Sequence, residues 1–260
     1  MDEGDIDRLA SRLADARRQG IQLRREECDL RKLGSEEEAA ALQAAASLAF
    51  GGSRIGYALV ATTAQTARLL NCPEPIVGPL FMEERLPSGS TLRVTRSMLG
   101  IGAQYVFVFG SSYPKAGSPA ALDTIADAIA SCRLGMQVLA RRTGVDTPFN
   151  DWIGTADFGL SECYVEGPSI LEWRGHDLGT CDVEVAVDGR PCTSGQGCNT
   201  LGHPLAPLVW LARRRAAEGL TIEAGDIVAA GSCTTLLQLT PGHEVTSTFG
   251  DLGSVTIELL

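Results

Sequence analysis

The stretch GIGAQYVFVFG, residues 100–110, constrains the fold more than any other part of the sequence. Aromatic side chains stand at alternate positions, Tyr105, Phe107 and Phe109, the stretch has no charge, and glycines bound it. This pattern predicts a buried β-strand. Its one amide is Gln104, and a buried amide needs a hydrogen-bond partner. Two interpretations stay open: Gln104 bonds to a neighbouring strand or loop, or it faces a binding site.

The rest of the sequence predicts an α+β fold. Residues 2–48 are rich in Ala, Leu and charge, contain no proline, and are predicted to form two helices. Beyond them, short apolar segments alternate with Gly-, Pro- and Asp-rich turns, which is typical of β-structure. The prolines of CPEPIVGPLF (72–81) predict an extended loop. We expect a helical segment at 1–50 and a β-rich domain at 51–260, integrated into one domain overall.

Composition and charge exclude several classes of function. The net charge of −10 and the pI of about 4.8 argue against nucleic acid or an anionic membrane as a partner. The eight cysteines include no CxxC pair, so a structural zinc site is not expected. The chain begins with charged residues, unlike a signal peptide, and lacks an apolar run of the ~18 residues that a membrane helix needs. We expect a cytoplasmic protein with reduced thiols and a small-molecule substrate.

No chemical motif is strong on its own. The sequence lacks a P-loop, a GxGxxG after a strand, HExxH and GxSxG. His176, His203 and His243 have no carboxylate or cysteine at the spacing of a metal ligand set. The segment GSCT (231–234) ends a predicted strand in a glycine turn, where backbone N–H groups and small hydroxyls suit a carboxylate. An ordinary turn is the simpler interpretation of that segment.

The order of six segments carries a resemblance that extends over nearly the whole chain. They are GYALVATTAQTARLLNCPEPIVGPLF, LPSGSTL, GAQYVFVFG, GCNTLGHPLAPLVWLA, AGDIVAAGSCT and PGHEVTSTFGDLGSV. In this order they resemble the 2-keto-4-pentenoate hydratase branch of the fumarylacetoacetate hydrolase superfamily, which includes the 4-oxalocrotonate decarboxylases. The resemblance implies a mixed β-roll around a central site with N-terminal helices packed outside. It also implies a homo-oligomer and is compatible with association with a related enzyme.

The resemblance further implies a metal site whose ligands this sequence has lost. Members of the family hold one Mg²⁺ or Mn²⁺ with three carboxylates, and the metal polarises a 2-oxo acid. Two of the carboxylates come from an ExE, because alternate residues of a strand share a face. The residues that match this ExE are Gly102 and Gln104, and Met136 is matched to the third carboxylate.

Other charged residues of the family are also replaced. Ala58 stands where the family has a lysine, and Ile76 and Leu139 stand where it has acids. Asp151 is the acid that still matches, whereas turn motifs such as GHP (202–204) are kept. Because the losses concentrate on the site, the sequence predicts a neutral pocket without metal or cofactor.

We therefore expect a hydratase-family homologue reworked for metal-independent chemistry. The predicted reaction is that of a lyase, isomerase or cyclase on a relatively apolar 2-oxo, enol or polyketide-like substrate, in secondary-metabolite biosynthesis. Gln104, Thr234 and Asp151 are predicted to be catalytic. The predicted substrate-binding residues are Tyr57, Ala58, Ile76, Gly102, Tyr105, Met136, Leu139, Ser232 and Cys233.

Two alternatives remain open at this stage. The chain is a non-catalytic paralogue that serves as partner subunit or scaffold, or it keeps hydratase or decarboxylase activity with a metal held by other acids. Besides Asp151, the acids Glu83, Glu84 and Glu162 are candidates for a general base, and the sequence does not rank them.

Overall fold

The computed structural model of the chain describes residues 1–144, 146 and 149–260. The helices of this part of the chain are α1 (Glu3–Gln19), α2 (Glu36–Phe50), α3 (Ala64–Leu69), α4 (Leu122–Ala128), α5 (Asp151–Ala156) and α6 (Ala206–Ala217). Its strands are β1 (Arg54–Val60), β2 (Ile76–Phe81), β3 (Arg85–Pro87), β4 (Ser90–Leu92), β5 (Met98–Phe109), β6 (Ile129–Ala140), β7 (Ser161–Ser169), β8 (Asp182–Val187), β9 (Arg190–Gln196), β10 (Ile227–Ser232), β11 (Glu244–Phe249) and β12 (Gly253–Leu259).

Capping residues and glycines set the ends of the two N-terminal helices. The Asp2 carboxylate accepts a hydrogen bond from the N–H of Asp5 at the start of α1, and α1 ends at Gly20, whose φ is 62°. Helix α2 begins after Ser35 and ends at Gly51 in the same conformation. The buried faces of the two helices pack on each other and on aromatic and aliphatic residues of β2, α5 and the loop before β7. The two predicted helices are therefore present, and they cover one side of the β-rich region.

Two mixed sheets make up that region. The larger has the strand order β2-β1-β10-β5-β6-β7-β3, and the smaller has the order β4-β12-β11-β8-β9. Strands β1 and β10 are parallel, whereas β5 is antiparallel to both of its neighbours. The predicted strand at 100–110 is the middle of β5, at the centre of the larger sheet.

The larger sheet curls, so its two faces have different surroundings. On one face Leu80 of β2 packs with Tyr164 of β7 and Val106 of β5, although several strands separate β2 from β7 in the sheet. We call the space enclosed by this face the roll interior. On the opposite face, Tyr105 and its neighbours pack against the smaller sheet, where the Tyr105 and Phe249 ring centroids are 5.2 Å apart.

The prediction of a loop at 72–81 is wrong in its second half, because Ile76–Phe81 is strand β2. Pro79 is paired with Tyr57 of β1, and β2 is the edge of the sheet. An edge strand tolerates proline because only one of its sides must supply N–H donors to the ladder. The α+β class and the mixed β-roll with N-terminal helices are confirmed. Within the described residues, no helix is both long and apolar enough to cross a membrane.

Candidate functional site in the roll interior

The register of β5, β6 and β7 brings two glutamines together on the interior face. Gln104 lies opposite Gly135, and Gly102 lies opposite Gln137, which in turn lies opposite Tyr164. Residues directly opposite in an antiparallel pair share a face, and diagonal neighbours are within reach of long side chains. Gln104 and Gln137 are 0% and 1% exposed. The interior therefore carries a buried pair of amides beside a tyrosine.

This register corrects the assignment of Met136. Met136 lies opposite Ala103, so its side chain points to the other face of the sheet and packs in the main core. The residue of β6 that shares the interior face with Gly102 and Gln104 is Gln137. Neighbouring residues of a strand point to opposite faces. The match of Met136 to the third carboxylate and a match of Gln137 to it therefore differ by a shift of one residue in the sequence alignment with the family. Gln137 is the site residue that sequence reasoning missed.

Several polar atoms of the interior have no partner in the described part of the chain. They are both terminal atoms of the Gln104 amide, Nε2 of Gln137 and Oη of Tyr164. Burial raises the pKa of Tyr164, so its hydroxyl stays protonated. The apolar side chains that accompany them on this face are Ala58, Leu80, Val106, Ile227 and Ala229. A buried polar group without a partner is costly, so these four atoms mark where a ligand or water would be held.

Position 102 is closed to a longer side chain. A Cβ atom placed on Gly102 would lie 2.1 Å from Oγ and 2.9 Å from Cβ of Ser232. Ser232 is the residue of β10 opposite Gln104, and its hydroxyl donates to the carbonyl of Thr234 at 2.8 Å. The serine thus occupies the space where a side chain at 102 would begin, which explains why glycine is needed there.

Thr234 and Cys233 are held by the backbone of β5. The Thr234 hydroxyl accepts a hydrogen bond from the N–H of Ala103 at 3.3 Å, and the Cys233 N–H donates to the Ala103 carbonyl at 2.7 Å. The Cys233 side chain belongs to the main core, and burial raises the pKa of its thiol. Of the predicted GSCT residues, Ser232 lies on the interior face and touches the position of a predicted ligand residue, and the Thr234 hydroxyl is 3.4 Å from the Ser232 hydroxyl.

Buried apolar side chains occupy the other three positions that the resemblance matches to charged residues. Ile76 and Leu139 belong to one buried cluster with Val60, Leu70 and Leu160. Ala58 is also fully buried on the interior face. Ala58, Ile76 and Leu139 are between 0% and 3% exposed.

The other predicted site residues lie elsewhere. Tyr57 and Tyr105 point to the face opposite the interior. Asp151 begins α5, where its carboxylate accepts a hydrogen bond from the N–H of Trp152 at 3.0 Å. Tyr57, Asp151 and part of Ile76 line a separate cleft outside the roll. The structure therefore brings Ala58, Ile76, Gly102, Gln104, Leu139 and Ser232 to the roll and does not bring Tyr57, Tyr105, Met136, Cys233 or Asp151 there.

The candidate acids have structural partners. Glu83 accepts hydrogen bonds from the N–H of Ser53. Glu84 is paired with Arg17 of α1, and Glu162 is paired with Arg142. Arg142 also lies 3.2 Å from Asp157, and both of these side chains are fully buried. We call Arg17, Glu84, Arg142, Asp157 and Glu162 the buried ion cluster.

The residues at positions 102, 104 and 137 do not fit the metal that the fold family implies. Together they offer two neutral amides and a glycine, whereas a Mg²⁺ or Mn²⁺ site of this type depends on carboxylate charge. Across residues 1–144, 146 and 149–260, no group of three or more His, Cys, Asp or Glu side chains is arranged to hold a metal ion. The interior is thus suited to a neutral polar group.

Comparisons with known proteins give sequence relatives and solved structures with this fold. No family model matches the sequence. The chain is 32% identical over 103 residues to the 2-keto-4-pentenoate hydratase of Paraburkholderia xenovorans (strain LB400), covering 40% of this chain and 38% of the relative. It is 33% identical over 101 residues to the 4-oxalocrotonate decarboxylase of Pseudomonas putida, covering 39% and 38%. The aligned regions therefore span less than half the length of these relatives.

Solved structures cover more of the chain. The 4-oxalocrotonate decarboxylase from Pseudomonas putida G7, complexed with magnesium and adipate, superposes with a TM-score of 0.88 at 22% identity over 100% of this chain and 99% of that one. The fumarylpyruvate hydrolase from Pseudomonas aeruginosa superposes with a TM-score of 0.59 at 13% identity, over 80% and 90%. These similarities confirm the fold, and the sequence relatives confirm the resemblance stated above.

Proposed function

We propose that this chain, a homologue of the 2-keto-4-pentenoate hydratases and 4-oxalocrotonate decarboxylases with the fold of the fumarylacetoacetate hydrolase superfamily, is a related enzyme that works without a divalent metal. Its reaction is that of a lyase, isomerase or cyclase on a relatively apolar 2-oxo, enol or polyketide-like substrate. The observation that carries this proposal is the group of unpartnered polar atoms of Gln104, Gln137 and Tyr164 in an otherwise apolar interior.

These side chains suit a substrate that passes through an enol. The amide N–H groups of Gln104 and Gln137 and the neutral Tyr164 hydroxyl are donors for a carbonyl oxygen that gains negative charge. The Gln104 carbonyl is an acceptor for an enol O–H. The interior excludes water, so each of these hydrogen bonds is stronger than it would be in solvent. The apolar walls accommodate the remainder of the substrate.

The neutral amides would also account for the absence of carboxylates at two of the three positions where the resemblance implies them. A glutamine keeps the shape of a glutamate and gives up its charge, so it needs no cation beside it. A pocket with some carboxylates but no metal would bury unpaired charge at a high cost. Replacing all three together avoids that cost.

Turnover measured in the presence of a chelator tests the proposal. Purified protein is treated with EDTA and supplied with 2-keto-4-pentenoate and longer, less polar 2-oxo acids, and products are followed by mass spectrometry. We expect turnover that survives EDTA and falls by about 10²-fold in Gln104→Ala, the size typical of losing one oxyanion donor. The matched control is Gln43→Ala, an amide of α2 whose Nε2 donates to the backbone carbonyls of Val77 and Thr155. Turnover that requires added Mn²⁺, or that Gln104→Ala leaves unchanged, would contradict the proposal.

A second candidate function is that of a non-catalytic partner subunit. It is favoured by the closed interior, in which Ser232 fills the space beside Gly102 and the matched positions pack as core. This function predicts no turnover and no thermal stabilisation by any 2-oxo acid. It also predicts a mixed oligomer, detected by light scattering, when the chain is co-expressed with a catalytic homologue from the same genome.

A further inference from the structure

A cleft of about 600 Å³ lies outside the roll, between α2, α5, α6 and the β1–β2 edge. Its floor includes Tyr57, and the next residue along β1, Ala58, points into the roll interior. Successive side chains of a strand point to opposite faces, so β1 separates the cleft from the interior. Gln104, Gln137 and Tyr164 are not among the residues that line the cleft.

Two guanidinium groups flank the ring of Tyr57 in this cleft. The Arg54 and Arg215 Cζ atoms lie 4.8 and 5.3 Å from its centroid. Within the described residues, the Arg54 side chain has no hydrogen bond or ion pair, and Nε of Arg215 is buried without a partner. Among the described residues, the Arg54 donors and Nε of Arg215 therefore lack partners and could bind an anion, whereas Nη1 of Arg215 donates to Glu218 at 3.5 Å.

The carboxylates that line the cleft already have partners. Glu36 is paired with Arg214, and Glu218 lies 3.5 Å from Arg215. Glu74 accepts a hydrogen bond from the Trp210 indole at 3.2 Å, and Asp151 accepts one from the Trp152 N–H at 3.0 Å. These four charges would repel a second negative group on a ligand.

Other walls of the cleft are apolar. Half-buried Trp152 and the buried Pro75 and Pro79 line it, together with Ala40 and Ala44 of α2. Flat apolar surfaces of this kind suit a planar hydrocarbon body. The cleft therefore combines the two guanidinium groups beside Tyr57, four carboxylates that have partners, and apolar walls.

We propose that this cleft binds a flat organic monocarboxylate, with the carboxylate on Arg54 and Arg215 and the apolar body against Trp152 and the prolines. A neutral analogue lacks the group that the arginines recognise, and a dianion meets the surrounding acids. The site is separate from the roll interior and does not depend on the reaction proposed for it.

Calorimetric titration with trans-cinnamate tests this site. We expect a dissociation constant of about 1 mM or tighter for cinnamate and much weaker binding of neutral cinnamamide and dianionic phthalate. Arg54→Ala and Arg215→Ala should each weaken cinnamate binding about tenfold, because each removes charge-assisted hydrogen bonds. Glu218→Gln should strengthen it, because Arg215 loses its competing partner. Arg215→Lys keeps the charge and should lose part of the affinity.

Two controls locate the binding. Arg93→Ala makes the same change in net charge at an exposed arginine outside the cleft and should leave cinnamate affinity unchanged. The double variant Gln104→Ala/Gln137→Ala alters only the roll interior and should also bind cinnamate as the wild type does. The proposal is overturned if cinnamate does not bind, if cinnamamide binds equally well, or if Arg93→Ala weakens binding as much as Arg54→Ala.

Discussion

The buried ion cluster and the roll interior both place polar side chains largely out of contact with water, but they differ in how the hydrogen-bonding and charge requirements of those side chains are met. In the ion cluster, full charges are paired: Arg142 contacts Asp157 and Glu162, and Arg17 contacts Glu84. In the roll interior the groups are neutral, and four of their atoms have no partner within the described chain. Charged side chains are therefore found where oppositely charged partners surround them. Among the described residues, the roll interior offers no such partners, and its polar side chains are neutral.

The difference separates a structural role from a binding role. The ion cluster joins α1 to the loop and strand residues at 84, 142, 157 and 162, so every charge in it holds two elements together. Within the part of the chain that the structure describes, the amides of the roll join no elements through their side chains. A polar group that stabilises nothing in the free chain is a candidate for contact with a ligand.

The largest effect should come from breaking the ion cluster. Arg142→Ala leaves Asp157 and Glu162 buried without their cation, and removing one partner of a buried pair costs about 3–5 kcal/mol. Urea denaturation followed by circular dichroism measures the free energy of unfolding. Arg31→Ala is the matched control, since Arg31 is paired with Asp29 at the surface and should show little change. A similar small change in both variants would remove the structural role assigned to Arg142.

The roll interior should respond in the opposite direction. Gln104→Met and Gln137→Met replace amides that lack partners with side chains of similar shape, so unfolding free energy should stay constant or rise by up to about 1 kcal/mol. The same variants should lose turnover or ligand-induced stabilisation, because the donors are gone. A loss of more than about 2 kcal/mol in either variant would mean that the amide is bonded within the protein and is structural.

How much the sequence could predict depends on how local each feature is. The strand at 100–110 was predictable because alternation and flanking glycines are local, and the sharing of a face by Gly102 and Gln104 follows from strand periodicity. The placement of Gln137 depends on the register between β5 and β6, which no local pattern specifies. The ion cluster joins residues 17, 84, 142, 157 and 162, and only the fold brings these together.

Strand β2 shows a second kind of limit on sequence reasoning. Three prolines between residues 72 and 81 argue for a loop, yet the last of them, Pro79, lies in an edge strand where the missing N–H is tolerated. Whether a strand is at the edge is a property of the whole sheet. The faces of Met136 and Leu139 are also a property of the whole sheet. Both are apolar residues of one predicted strand, yet they point to opposite faces of β6.

The smallest effect expected is a difference in pH dependence between two adjacent glutamates. Burial raises the pKa of Glu84 in spite of Arg17, whereas hydrogen bonds from its own N–H and that of Ser53 lower the pKa of exposed Glu83. A raised native pKa means that the stability contributed by Glu84 is full below about pH 4.5 and is lost as the pH rises through the native pKa. Apart from the constant offset caused by losing the Arg17 contact, the stability of Glu84→Gln relative to the wild type should therefore rise as the pH increases above about 4.5.

Glu83→Gln is the matched control with the opposite sign. Because the pKa of Glu83 is lowered in the folded chain, its contribution is present at neutral pH and is lost as the pH falls through that pKa. The variant should be slightly less stable than the wild type near neutral pH, and the gap should close on acidification. Urea midpoints for the three proteins across this pH range measure both trends. Parallel trends for the two variants would show that burial of Glu84 in the ion cluster does not control its titration.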